Sequence, residues 1–333
     1  MKYYLYGFIS TNRGIEFGQI GFELGQNKKG LVMALPYQGL GAVVGPSPFE
    51  DFEGLNKEIL VKALLSHQKT LEIVMQKQFI LPCKFGTVVK EEAEIQMILK
   101  SNQVKLSKWL EETKETSEME VVATWDVPVI LNEMAQADPK IIALKQRIEK
   151  MAPPKKEQEK LSLGMKLSQK LKEKANHFSE ILLKSLKKIA PSYSTHPLMN
   201  DQMVLNASFL LPRKEKNNFY KVLDKLDRRL EGKLHFRCVG PLPPYSFATV
   251  VIQHFHPDEI HMALETLGLK GNSNMALVKK AYRAKARLCH PDTHPKKGKE
   301  EFEKLNKAYQ LLKNHYQGGG QSIQATLINY REA

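Results

Sequence analysis

The chain has 333 residues, a length that predicts two or three domains, each large enough for its own hydrophobic core. The hydrophobic content of 42% and the charged content of 26% are typical of a soluble globular protein. No apolar run approaches the roughly 20 residues of a membrane-spanning helix, and no signal-peptide core follows Met1, so we expect a cytoplasmic protein without a membrane partner. The net charge of +14 predicts an acidic partner, either a protein or a nucleic acid.

The sequence lacks the common motifs of enzymes and cofactor sites. It contains no GxxxxGKS/T, GxGxxG, HExxH or GxSxG pattern, so we expect no enzyme activity and no cofactor. Cys83, Cys238 and Cys289 are widely separated and form no CxxC pair, which argues against a disulfide framework or a zinc ribbon. Residues 254–261 hold histidines and an aspartate, but as metal ligands they would have to converge from a domain boundary, so we expect no metal site there.

Residues 1–127 are predicted to form a first α+β domain. Apolar and β-branched runs predict strands at residues 3–9, 31–37, 40–45, 79–89 and 121–127. The spacing of apolar side chains predicts helices at residues 56–78 and 91–112. Strands and helices in this order are typical of a ferredoxin-like sandwich.

A second α+β domain is expected at residues 128–252. Residues 134–190 have a helical pattern that breaks at Pro153-Pro154, and a long amphipathic helix follows the break. The apolar face of this helix consists of Leu163, Leu167, Leu171, Phe178, Leu182, Leu186 and Ile189. That face either packs on its own domain or receives a partner helix. The domain is completed by a strand at residues 203–211, a helix at 214–230, and strands at 234–239 and 246–252.

Four separated motifs in residues 1–252 resemble those of one protein family. They are YLYGFI (Tyr4–Ile9), LLSHQKTLEIVMQKQFILPCKFGTVV (Leu64–Val89), MVLNASFLLPRKEKNNFYKVLDKL (Met203–Leu226) and GPLPPYSFATVV (Gly240–Val251). In this order they resemble the gas vesicle protein F/L family (GvpF/GvpL). The resemblance implies an accessory protein of gas vesicle organization and buoyancy, located at the gas vesicle. Its implied partners are the very hydrophobic shell subunit and other gas vesicle proteins. From the residues alone, the glycines and prolines of these motifs are expected to shape turns and strands.

Residues 275–316 predict an antiparallel helical hairpin with a basic first helix. The helical spacing is carried by Val278, Ala281, Tyr282 and Leu288 in the first helix and by Phe302, Leu305, Ala308, Tyr309 and Leu312 in the second. Pro291 disfavours helical geometry at His290, so the first helix should end there and display His290 and Asp292 at the tip. From Met275 to Cys289 there are five basic residues and no acidic one, a pattern that can steer an acidic partner.

Residues 257–317 resemble a J domain, the co-chaperone module of the DnaJ family. The resemblance rests on VKKAYR, then HPD, then FEKLNKAYQLL, with LETLGL (Leu264–Leu269) in the place of a short first helix. It implies that His290, Pro291 and Asp292 contact a DnaK-type chaperone and trigger its ATP hydrolysis. It also implies that Lys279, Lys280, Tyr282 and Arg283 dock on an acidic surface of that chaperone. Lys285 and Arg287 depart from the family pattern, which has apolar residues there, so a looser hairpin is expected.

The two resemblances together predict a gas vesicle assembly or accessory protein that binds the shell subunit. Through chaperone binding by its J domain, it would recruit a DnaK-type chaperone and stimulate the ATPase of that chaperone. The alternative is a structural minor component of the vesicle whose J-like hairpin is inactive. Nucleic-acid binding is a third class, but the lysines are dispersed over all segments, so we expect no nucleic-acid partner. Residues 318–333 begin with Gly318-Gly319-Gly320 and are expected to form a flexible tail.

Overall fold

The computed structural model describes residues 2–24, 28–271, 273–289, 298–317, 320 and 322–328. These residues fall into two compact units, one built from Met1–Glu111 and Val250–Ile328 and the other from Glu112–Thr249. Antiparallel sheets and helices occur in both, which confirms the predicted α+β class. None of the helices in the described ranges has the length and apolar composition needed to span a membrane.

The first unit begins with an antiparallel sheet that carries two long helices. Its strands are β1 (Tyr3–Ser10), β2 (Ile15–Glu23), β3 (Lys29–Tyr37), β4 (Leu40–Pro46), β5 (Leu81–Pro82) and β6 (Val88–Val89), and its helices are α1 (Lys57–Lys77) and α2 (Glu92–Thr113). The strand order is β2-β3-β4-β1-β5, and β6 also pairs with β1. The edge strand β2 escaped sequence analysis because a bulge at Gly18, which has a φ of 107°, interrupts the two-residue alternation.

The second unit contains the ferredoxin-like order of strands. Its elements are β7 (Thr116–Thr124), α3 (Val127–Ala137), α4 (Pro139–Glu149), α5 (Lys155–Leu186), β8 (Ser192–Thr195), β9 (Met203–Pro212), α6 (Lys216–Arg229) and β10 (His235–Leu242). The sheet order β10-β7-β9-β8, with α5 and α6 as the connecting helices, is that of a βαββαβ sandwich. The strand expected to close the first domain is therefore β7, which pairs with β9 and β10 in the second unit. This pairing moves the boundary predicted at residue 127 to about residue 112.

The long helix α5 packs on its own unit along most of its length. Leu171, Phe178, Leu182 and Leu186 are buried in the core formed with the sheet. Nearer its start, Leu163 is buried against a smaller cluster that includes Ile141 and Ile148 of α4. The burial of these leucines favours the structural interpretation of the predicted apolar face over a partner helix.

The chain ends in a three-helix bundle and a returning strand. The elements are β11 (Thr249–His254), α7 (Pro257–Leu267), α8 (Met275–Leu288), α9 (Gly298–Gln317) and β12 (Ile323–Ile328), which pairs with β11. The bundle core consists of Ala263, Leu264, Leu267, Val278, Leu305, Ala308 and Leu312, so the predicted hairpin is confirmed. Leu288 is 73% exposed and was wrongly assigned to the apolar face. The strand β12 also differs from the flexible tail expected over residues 318–333.

Candidate functional site

The helix α8 presents a basic surface in the described part of the hairpin. Asn274 caps its start, where the side-chain Oδ1 accepts the Leu277 N–H at 3.1 Å. Lys279, Lys280 and Arg283 are all exposed, and we call these three residues the basic face. Because α8 carries no acidic side chain, the basic face has a field of one sign that attracts an acidic surface.

Tyr282, predicted to belong to the same surface, instead lies between the helices. Its ring stacks on Tyr309 with a centroid distance of 4.1 Å and an interplanar angle of 19°. Its hydroxyl donates a hydrogen bond to Oδ1 of Asn306, and the side chain is half-buried. Tyr282 therefore links α8 to α9 and is not part of the exposed basic face.

Lys285, which departs from the apolar pattern, has a specific partner at the end of α7. Its Nζ donates to the backbone oxygen of Thr266 at 2.7 Å. A cation at the carboxyl end of a helix interacts favourably with the helix dipole and satisfies a carbonyl left without an intrahelical donor. Lys285 thus joins α8 to α7 by a polar contact, whereas Arg287 is exposed.

The tip of the hairpin falls in a gap of the described ranges. His290, Pro291 and Asp292 lie outside the described residues, as do residues 293–297. The structure describes the two helix ends that flank them, at Cys289 and Gly298. Their role in contacting a chaperone therefore stays a prediction from the resemblance.

The returning strand β12 holds the end of the bundle against the first sheet domain. The Ala325 N–H donates to Oδ1 of Asn102 on α2 at 2.8 Å, and both residues are buried. Gln324 Nε2 donates to the His315 backbone oxygen at 2.8 Å, near the end of α9. Sequence analysis missed this element, although apolar and polar residues alternate from Ile323 to Thr326 as in a strand; in the structure the polar Gln324 is buried together with Ile323 and Ala325.

Two of the four motifs in residues 1–252 meet at one tyrosine. The hydroxyl of Tyr4 accepts the Gly86 N–H at 2.9 Å and lies 3.0 Å from Nδ1 of His67. Burial lowers the pKa of His67 to about 3, so this imidazole is neutral. Gly86 has a φ of 87°, which requires glycine. These motif residues are therefore structural anchors, of which Tyr4 and His67 are buried.

The closing motif is anchored by a buried carboxyl group. Glu118 on β7 is 1% exposed and accepts hydrogen bonds from the Ser246 N–H at 2.8 Å and from the Ser246 hydroxyl at 2.6 Å. The Ser208 hydroxyl lies 3.2 Å from that of Ser246 and 2.9 Å from His196 Nε2. Burial raises the pKa of Glu118 to about 7 despite these hydrogen bonds.

The histidines at residues 254–261 do not form a metal site with the other residues that the structure describes. Among the described residues, no three His, Cys, Asp or Glu side chains lie close enough together to hold a metal ion. His254 Nδ1 instead lies 3.1 Å from Oε1 of Glu94 on α2. This pair adds a polar contact between β11 and α2, the helix whose Asn102 accepts the Ala325 N–H of β12.

Two family profiles match consecutive parts of the chain. Residues 2–249 match the gas vesicle synthesis protein GvpL/GvpF profile, and residues 263–317 match the DnaJ domain profile. The chain is 26% identical to gas vesicle protein F of Nostoc sp. over 190 residues, which cover 56% of this chain and 77% of that protein. The chaperone protein DnaJ of Chlorobium chlorochromatii is 46% identical over 52 residues, which cover 15% of this chain and only 13% of that protein.

Solved structures share the fold of the longer part. The crystal structure of GvpF from Anabaena sp. superposes with a TM-score of 0.56 at 22% identity, covering 74% of this chain and 97% of that chain. GvpF from Microcystis aeruginosa gives a TM-score of 0.53 at 19% identity, covering 74% of this chain and 98% of that chain.

Proposed function

The chain belongs to the gas vesicle synthesis protein GvpL/GvpF family and carries a DnaJ domain, and from this premise we propose that it is an adaptor in gas vesicle assembly. Residues 1–252 bind the hydrophobic shell subunit or its assembly complex, and residues 257–317 recruit a DnaK-type chaperone and stimulate its ATPase. The observation that carries the proposal is the presence of both domains in one chain. The adaptor itself performs no catalytic step.

The aggregation of unassembled subunits gives a physical reason for such an adaptor. Exposed apolar strands pair with one another before they reach their final assembly, and this hazard grows with hydrophobicity. A DnaK-type chaperone brought to the subunit would cover those segments between rounds of ATP hydrolysis. Coupling the chaperone to a vesicle protein limits this protection to the place where assembly occurs.

The described part of the DnaJ domain supports chaperone binding. The basic face of α8 is exposed, and the helix that carries it is packed on α9 through the stacking of Tyr282 on Tyr309. Lys285 has its own hydrogen bond to Thr266 in place of the usual apolar packing. The bundle therefore keeps a packed core despite the two departures from the family pattern.

The proposal is tested by single-turnover ATP hydrolysis of the DnaK-type chaperone from the same cell. The wild-type chain should accelerate hydrolysis, and Asp292→Asn should remove the acceleration while leaving the thermal unfolding midpoint unchanged. Lys166→Ala, which removes an exposed lysine of α5, is the control and should stimulate like the wild type. A wild-type chain that does not accelerate hydrolysis would exclude the co-chaperone part of the proposal.

The second candidate is a structural component of the vesicle with an inactive hairpin. Of the two departures from the family pattern that favour it, Lys285 has a hydrogen bond to Thr266, so the exposed Arg287 is the one that still supports this candidate. In that case the chain would fractionate with intact vesicles and leave the chaperone's ATPase unchanged. Nucleic-acid binding, the third class, would show an affinity that falls steeply with salt and that persists without the hairpin.

A further inference from the structure

The first turns of α1 expose aliphatic side chains that a core helix would bury. The large apolar side chains at positions 59, 60, 61, 64 and 65 are between 37% and 60% exposed. Among the first nine residues of α1, only Ala63 is buried, and the deep packing of the helix begins at His67. Two turns of an otherwise ordinary amphipathic helix therefore present a contiguous apolar surface to solvent, which is a recurring property of protein-binding sites.

A groove runs along one side of this surface. It has a volume of about 500 Å³ and lies between α1, the edge strand β2 and the segment after β4. Its apolar lining includes Ile20, Phe22, Phe49, Ile59 and Leu65. Phe22 is part of the buried aromatic cluster around Tyr4, with a centroid distance of 4.7 Å between the two rings, so the floor of the groove belongs to the packed core of the sheet domain.

The rim of the groove is predominantly basic. Lys29, Lys62 and Lys69 line it, and Glu23 is the acidic side chain in the same lining. Such a rim favours an occupant with carboxylates at the edges of an apolar face. It disfavours a second copy of this chain, because the two rims and the two net charges of +14 would repel each other.

Resting on the proposed adaptor function, we infer that this groove, the α1 groove, is the docking site for the shell subunit. The occupant is an amphipathic segment of that subunit, with aliphatic side chains against Ile59 and Leu65 and with carboxylates beside Lys62 and Lys69. Burial of the exposed aliphatic side chains supplies the affinity, and the lysines fix the register of the segment.

The test co-produces the full chain with the gas vesicle shell subunit as the probe. The full chain is then purified, and the amounts of subunit that stay soluble and that co-purify are measured. Leu65→Glu should reduce the co-purified amount about tenfold, the factor expected when one leucine side chain is no longer buried at an interface. The matched control is Val104→Glu on α2, which replaces a 78% exposed aliphatic side chain outside the groove and should bind like the wild type.

A second pair of variants tests the charged rim. Lys62→Glu combined with Lys69→Glu should weaken binding at low salt and lose much of the difference at high salt, because screening removes the repulsion. Lys62→Arg combined with Lys69→Arg should retain binding. Both pairs leave the apolar lining unchanged, so they remain informative if Leu65→Glu disturbs folding.

The outcomes separate the docking site from the adaptor function. A wild-type chain that never retains the shell subunit would overturn both. If the wild type, Leu65→Glu and the Lys62→Glu/Lys69→Glu pair all retained the same amount of shell subunit, the α1 groove would not be the docking site. The adaptor function would still hold in that case. Light scattering addresses the rival occupant: a wild-type dimer that Leu65→Glu converts to a monomer, with subunit retention unchanged, would assign the groove to self-association and overturn the inference.

Discussion

The two domains shared with known families place their matching residues in opposite environments. In the GvpL/GvpF part, Tyr4, His67 and Gly86 are joined by hydrogen bonds inside the first sheet domain. In the DnaJ part, the basic face of α8 is exposed to solvent. The difference teaches that the buried motif residues of the first part stabilise its fold, whereas the exposed lysines and arginine of the second part are accessible to the chaperone that we propose as a partner. Substitutions in the first should therefore change stability, and those in the second should change association.

The largest effect is expected from Glu118, whose pKa is raised to about 7. Because the folded-state pKa lies above the usual value of 4.5, its contribution to stability is fully present below that value and is lost as the pH rises through about 7. The free energy of unfolding should fall by up to about 3 kcal/mol across this range. Glu118→Gln stays neutral and should remove most of the fall, measured by urea denaturation at a series of pH values.

The groups that face Glu118 set the controls for this experiment. They are Ser246 and Ser208, which interact with the carboxyl group, and the neighbouring Glu120, whose charge adds to the raised pKa. Glu115→Gln changes an exposed carboxyl next to the same strand and should leave the pH dependence intact. If the free energy of unfolding of Glu118→Gln still fell with rising pH, the fall would come from other ionisable groups. That result would contradict the role of Glu118 as the anchor of the closing motif.

A smaller effect, on association alone, is expected from reversing charge on the basic face. Lys279→Glu combined with Lys280→Glu should slow association with the DnaK-type chaperone about tenfold at low salt, because electrostatic steering is lost. Both side chains are exposed, so the free energy of unfolding should change by less than about 0.5 kcal/mol. Stopped-flow association at two salt concentrations measures the effect.

The matched control reverses the same number of charges on the neighbouring helix. Lys304→Glu combined with Lys307→Glu alters exposed lysines of α9. If this pair slowed association as much as the pair on α8, net charge would account for the steering and the basic face would have no special role.

The smallest effect is expected from Lys285, which is half-buried and therefore differs both from the buried Glu118 and from the exposed basic face. Lys285→Met should destabilise the bundle by about 1 kcal/mol, because the Thr266 carbonyl loses its hydrogen bond. Hydrogen exchange of the amides in α7 and α8 would show the loss, and Arg287→Met should show none. A stabilised bundle in Lys285→Met would instead identify the lysine as a packing defect relative to the family.

Most long elements could be predicted from sequence because each has a local cause. The strands β1, β3 and β4 are continuous apolar runs, and α1 and α2 have apolar side chains at helical intervals. The hairpin of α8 and α9 follows from the same spacing and is confirmed by the burial of Val278 and Leu312. The strand β2 was lost because a bulge hides its alternation.

The position of each element in space could not be predicted to the same extent. The strand β7 looks like the natural end of the first domain, yet its partners β9 and β10 are distant in sequence. Tyr282 shares a helix with the basic residues, but its ring turns towards Tyr309. The strand β12 gains its role only because Asn102, far away in the chain, accepts the Ala325 N–H.

The sequence by itself therefore determined the family, the α+β class, the helical hairpin and its single-signed charge, since these depend on residue type and local spacing. Tertiary structure alone decided which sheet receives β7, which face of α8 stays free, and that the first turns of α1 remain uncovered beside a groove. These properties depend on contacts between residues far apart in the chain, for which local patterns contain no information.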